Sequence, residues 1–183
     1  MDDDFGKSLS EGLKYPWGQP VRLLNILWVL LPIFGWFALI GYGKKIILSL
    51  VKGHRTELPP FGSFSKNLSE GFMIFIYMIP TMIVLMIIQM IPLVGYILGL
   101  LVNWFILPWL TINLMVKGEF SALWELEQAF NVVVNNAKAY VIAFVKTLVY
   151  SVVYFVLSFV LVGIPCNAFG GMYFLTEFYS DYS

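Results

Sequence analysis

The stretch GFMIFIYMIPTMIVLMIIQMIPLVGYILGLLVNWFILPWLTINLMV, from Gly71 to Val116, carries no charged residue in 46 positions. At 1.5 Å per residue, about 20 residues cross a hydrocarbon core of roughly 30 Å. This stretch therefore has the length for two crossings. Pro92-Leu93-Val94-Gly95 interrupts it near the middle. An interior proline forfeits a helical hydrogen bond and glycine permits reversal, so a helical hairpin is expected with its turn there. Two further charge-free stretches flank it, Leu23–Gly43 of 21 residues and Thr147–Thr176 of 30.

The rest of the composition agrees. Of 183 residues, 60% are apolar and 12% charged, and the mean hydropathy is +0.82. A soluble domain carries about twice that share of charge and cannot bury so much apolar surface. One domain is expected at this length. Eleven basic and eleven acidic residues cancel, so no charge surplus recommends nucleic acid as a partner. The single cysteine, Cys166, excludes an internal disulfide and a thiolate-rich metal site. The acidic start Met1-Asp2-Asp3-Asp4 lacks the basic n-region of a cleavable signal, so the first apolar stretch is expected to persist.

Punctuation and charge both favour three hairpins. Pro32-Ile33-Phe34-Gly35 repeats the spacing of Pro92–Gly95, and Gly163-Ile164-Pro165 interrupts the third stretch. Downstream, Leu50-Val51-Lys52-Gly53 is echoed by Met115-Val116-Lys117-Gly118, with 18 residues between the glycines in one half and 23 in the other. Internal repetition and chance among apolar residues both account for so short an echo. Lys7, Lys14 and Arg22 precede the first stretch. Lys44, Lys45, Lys52, Arg55 and Lys66 follow it, and Lys117, Lys138 and Lys146 follow the second. Hairpins place all eleven on one side; single spans for the first and third stretches split them eight to three.

The expected fold is therefore all-α: a polytopic helical membrane bundle of six helices in three Pro/Gly-broken hairpins, with four full spans at minimum. A cytoplasmic N-terminal segment covers 1–20 and a single membrane domain 21–183, with hairpins near 21–52, 71–117 and 139–180. Both termini are expected in the cytoplasm. The first hairpin is short, so its leg near Val21–Leu31 is expected to be shallow or to lean on its neighbours. Glu119–Lys138 places Phe120, Leu123, Phe130, Val133, Val134 and Ala137 on one helical face and Glu125, Gln128, Asn131 and Asn135 on another. An amphipathic interfacial helix is expected near 119–138, covering its own bundle or docking a partner.

Gly41-Tyr42 followed by basic residues, then Leu58-Pro59-x-Phe61 and Glu70-Gly71-Phe72 at the entry to the next span, resembles a family of uncharacterised prokaryotic multi-pass membrane proteins. The family is known only as a domain of unknown function. Pro60 stands where an acidic residue is expected. The resemblance covers roughly 15–180. It implies a helical bundle in a prokaryotic cytoplasmic (inner) membrane, and it brings no activity and no functional residue.

Ionisable residues at membrane depth usually serve function, and the three long stretches contain none. This speaks against a carboxylate proton relay and against an intramembrane aspartyl protease. His54, the only histidine, lies in a connection beside Arg55, Thr56 and Glu57, which speaks against a serine protease at depth and against bis-histidine haem ligation. Too few ligands are present for zinc. Neither catalytic, cofactor-binding nor metal residues are assigned, and no cofactor is expected. Asn25, Thr81, Gln89, Asn103, Thr111, Asn113, Thr147, Ser151 and Ser158 are polar groups at depth that serve as helix–helix glue or line a solute path. Gly95-x-x-x-Gly99 and Ala139-x-x-x-Ala143 suit close helix approach. Met82, Met86 and Met90 form a stripe of packing, with copper handling as the sharper reading. The functional expectation is a non-enzymatic accessory, assembly or scaffold subunit, its partners the lipid bilayer and another membrane protein or a second copy. The alternative is a small transporter or channel for a polar solute.

Overall fold

The computed structural model describes residues 2–183. Helix α1 (Asp2–Lys14) is followed by a 3-10 turn, Tyr15–Gly18, and a 3-10 helix, Pro20–Leu30, that leads into α2 (Phe34–Val51). The middle hairpin is α3 (Phe64–Gln89) and α4 (Val94–Lys117), the latter widened into a π turn at Val102–Ile106. A 3-10 turn, Phe120–Trp124, precedes α5 (Leu126–Asn135), α6 (Ala137–Leu157), α7 (Gly163–Gly170) and α8 (Tyr173–Tyr182). Phe34–Val51, Phe64–Gln89, Val94–Lys117 and Ala137–Val160 are long and apolar enough to cross a membrane. The chain is an integral membrane protein built as a polytopic helical bundle.

The first two reversals are one turn used twice. Ile33 and Leu93 hold φ 66° and 61°. Phe34 N–H donates to the Pro32 carbonyl at 2.7 Å, and Val94 N–H to that of Pro92 at 2.7 Å. This i→i+2 bond with positive φ is the strained form of γ-turn. Around it, Gly35 donates to Leu31 and Gly95 to Ile91. A Cβ on Gly35 would lie 1.7 Å from the Trp28 carbonyl oxygen, and one on Gly95 1.9 Å from that of Ile88. The Pro-x-x-Gly echo is thus a structural repeat at its turns. Both second legs also end on left-handed glycines, Gly53 and Gly118, at φ 85° and 71°. The longer second leg is the one that contains the π turn. The third reversal falls slightly earlier than Gly163-Ile164-Pro165: Leu161 takes the positive φ of 65°, and Gly163 already opens α7.

Glycine lets α2 and α3 touch backbone to backbone. A Cβ on Gly41 would lie 2.0 Å from the Asn67 carbonyl oxygen, and one on Gly71 1.8 Å from that of Phe37. Phe37 packs on Phe72 and Phe75, and Lys44 pairs with Glu70 at 3.5 Å. In this antiparallel register the first turn comes level with α3 near Tyr77. Beyond that level α3 has left α2 and pairs with α4, Gly99 against Gln89, while Trp104 and Phe105 of α4 still pack on Phe144 of α6; nearer the turn, Met82, Met86, Met90, Leu93 and Tyr96 are exposed. The middle hairpin projects from the bundle. Ile74 and Leu114 line one small cavity, and the same register sets Pro80 level with Pro108.

The bundle centre is α8, with Tyr173, Phe174, Leu175, Thr176, Phe178 and Tyr179 all buried against α2, α4 and α6. Tyrosine hydroxyls donate to backbone carbonyls on distant parts of the chain. Pro108 has no N–H to offer the Trp104 carbonyl, and Tyr140 Oη donates to it at 2.9 Å. Tyr42 does the same for Pro59 at 2.7 Å, and Tyr150 for Cys166 at 2.6 Å. Tyr154 donates to Leu13 at the end of α1. The stretch before Tyr15, read from sequence as an N-terminal segment, is thereby a packed helix. Lys146 Nζ reaches Ser8 Oγ at 2.9 Å, and Gly12 lies under the Phe174 ring.

Candidate docking surface

The amphipathic segment expected near 119–138 is present in two pieces, because a single straight helix is interrupted at Glu125 and again at Asn136. Gly118 ends α4 in the left-handed conformation, with its N–H on the Leu114 carbonyl at 2.7 Å, a usual glycine stop. The chain is then pinned by a buried amide. Asn113 Nδ2 donates to the Ala122 carbonyl at 3.0 Å and to Glu125 Oε2 at 2.9 Å. Its Oδ1 accepts from Tyr179 Oη at 2.8 Å, which ties the connection to the central helix. Lys117 Nζ meets Glu125 Oε2 at 2.5 Å. The Lys117 ammonium and the Asn113 amide together hold the Glu125 carboxyl below its ordinary range.

This anchoring divides the apolar face. Ala122, Leu123, Ala129 and Val133 are buried, while Phe120, Trp124, Leu126, Phe130 and Val134 stay exposed at 40%, 42%, 50%, 58% and 51%. Leu126, Phe130 and Val134 are four residues apart and lie along one side of α5. Gln128, Asn131 and Asn135 are exposed on the opposite side. The helix covers its own bundle with one edge and leaves an adjacent apolar edge open.

The other candidates do not converge. Thr111, Thr147 and Ser158 return their hydroxyls to carbonyls four residues back, those of Leu107, Ala143 and Tyr154; this is a local bond. Asn113 is spent on the anchor above. Gln89 is exposed against Gly99, and Asn25, Asn103 and Ser151 are half-buried on separate helices. Thr81 Oγ1, with Tyr15 Oη and Thr176 Oγ1, is buried without a hydrogen-bond partner among the described residues. His54 is exposed, and Glu57 is drawn to Arg22 at 3.2 Å, so the His54–Glu57 segment forms no acid–base pair. Met82, Met86 and Met90 face outward. Cys166 is fully buried. Among the described residues no three His, Cys, Asp or Glu side chains come together to hold a metal. The Gly95–Gly99 spacing does serve close approach, inside the middle hairpin.

Sequence reasoning missed one polar feature, a cleft of about 370 Å³ between α1, α6 and α8. Lys7, Glu11, Lys146, Glu177 and Asp181 line it. Arg55 reaches across from the first connection to Glu177 at 2.7 Å and Asp181 at 3.7 Å. The only signal for it in the sequence was the clustering of charge outside the three apolar stretches.

No curated protein and no solved structure matches the chain. A family model described as a protein of unknown function matches residues 24–165. That match takes in all three turns, the α2–α3 glycine contact and the anchored connection with α5, so the chain belongs to the DUF4013 family, whose function is unknown.

Proposed function

We propose that this protein is a non-enzymatic accessory, assembly or scaffold subunit of a larger membrane complex. The observation that carries the reading is the open edge of α5. Five large apolar side chains, Phe120 and Trp124 on the preceding 3-10 turn and Leu126, Phe130 and Val134 on α5, stand exposed next to Lys117 and Glu125, on a connection whose position is fixed by Asn113 and Tyr179. An anchored apolar edge with a polar border suits a partner's helix or membrane-proximal surface. In this reading the membrane is the prokaryotic cytoplasmic one, with both termini and both long connections on the cytoplasmic side. The positive-inside bias supports that orientation.

The test is purification of the tagged protein in mild detergent, with mass spectrometry of what accompanies it. A stoichiometric protein, lost on Phe130→Asp while the protein itself still elutes as a single species, is the expected result. A monomer without partner under crosslinking refutes the reading. A solute path has weaker support, because Thr111, Thr147 and Ser158 spend their hydroxyls on their own helices. Flux in reconstituted vesicles that falls on Asn103→Leu or Gln89→Leu would reverse that order.

A further inference from the structure

We propose that the first hairpin is re-entrant: it enters and leaves the bilayer through one face, and its outer stripe packs against the acyl chains of that leaflet alone. Four observations converge. Its legs are short. From Arg22 to Leu31 the 3-10 helix rises about 18 Å, and from Phe34 to Lys44 the α-helix rises about 15 Å, against a hydrocarbon core of roughly 30 Å. The middle hairpin rises about 30 to 35 Å between its charged residues Glu70 and Lys117 and its turn. Snorkelling of Lys44 does not close the gap, since its ammonium is held by Glu70 on α3.

The first leg also reaches the base of the neighbouring helix. The Trp28 ring, three residues before Leu31, lies 5.7 Å from the ring of Phe61 and 4.6 Å from that of Phe64. Phe61 belongs to the connection whose carbonyl is bonded by Lys45 Nζ and Asn67 Nδ2, and Phe64 begins α3. A spanning leg would carry Trp28 far from both.

Third, the tip is fit for hydrocarbon rather than water. Leu30-Leu31-Pro32-Ile33-Phe34 has no polar side chain. Leu31, Phe34, Gly35 and Phe37 donate their N–H groups within the turn, and Pro32 has none to satisfy. Buried reversals in lipid require such internal closure. Finally, the 3-10 geometry aligns residues three apart. Val21, Leu24, Leu27 and Leu30 are exposed at 73%, 61%, 55% and 75%, a straight apolar stripe, while Leu23 is buried beneath it.

Single cysteines at Leu30, Phe34, Val94 and Lys52 test the proposal in a Cys166→Ala background. Each is treated in sealed proteoliposomes with a membrane-impermeant maleimide applied from one face or the other. Each is also labelled with bimane and quenched by lipids carrying nitroxide at shallow or deep acyl positions. The expected result is that Lys52→Cys reacts from one face only. Leu30→Cys and Phe34→Cys should react from neither, and their bimane should be quenched severalfold better by the nitroxide lipids than that at Lys52. Reaction of Leu30→Cys or Phe34→Cys from the face opposite Lys52→Cys overturns the proposal, because the hairpin then crosses. Reaction from the same face as Lys52→Cys overturns it too, because the tip is then in water. All four positions are exposed, and size exclusion of each variant separates a misfolded sample from a changed topology.

Discussion

The α2–α3 contact makes a quantitative prediction. Gly41 and Gly71 form a reciprocal pair: each would place a Cβ against the other helix's main chain, 2.0 Å from the Asn67 oxygen and 1.8 Å from the Phe37 oxygen. Ordinary contact begins near 3.4 Å. An alanine at either position therefore requires the two backbones to separate by roughly 1.5 Å, and a carbonyl cannot rotate aside as a flexible side chain can. Overpacking usually costs about 1–3 kcal/mol, and rigid obstacles belong at the upper end, so Gly41→Ala and Gly71→Ala are each expected to cost about 3 kcal/mol. The two obstacles are relieved by the same displacement. Once one alanine has parted the helices the second adds little, so the double variant should fall short of the sum by about 2 kcal/mol or more, within the range seen for coupled neighbours. Gly43→Ala is the control, since its Cβ meets nothing within 4 Å; alanine there should stabilise by a few tenths to about 1 kcal/mol. Unfolding in mixed micelles by denaturing-detergent titration reads all four variants. Additive costs, or single costs below about 0.5 kcal/mol, would show that the helices do not approach through these glycines.

Three further outcomes follow from particular contacts. Tyr140→Phe strands the Trp104 carbonyl that Pro108 leaves open; it should lower stability by about 1–2 kcal/mol, and by less in a Pro108→Ala background where a main-chain N–H returns. Glu125 has its folded pKa depressed by Lys117 and Asn113, so its contribution is present above the ordinary carboxylate range and is lost as pH falls below it. Thermal unfolding as a function of pH should show that loss in the native protein and not in Glu125→Gln. Cys166, fully buried in α7, should resist a soluble maleimide in mild micelles and react at once in SDS; rapid reaction in the native micelle would contradict the packing of α7 on Tyr150.

The solvent and the places where the chain turns back are legible in short stretches of residues. Charge is too costly in hydrocarbon to be scattered, so the charge-free stretches announced the helices. Pro32–Gly35 and Pro92–Gly95 marked reversals because their conformations are set by those residues and their immediate neighbours. The amphipathic face of 119–138 was legible for the same local reason, but not its division into a buried and an open edge, which depends on Asn113 and Tyr179. The tertiary structure decided everything that rests on partners far apart in the chain. Tyr140 meets Trp104, Gly41 meets Asn67, and Tyr154 meets Leu13, and no pattern within one helix reveals such pairs. The first hairpin shows the same division. Its apolar residues and its proline were plain in the sequence, whereas the shallow depth we propose for it rests on a register against α3 and on a 3-10 winding that only the packed bundle selects.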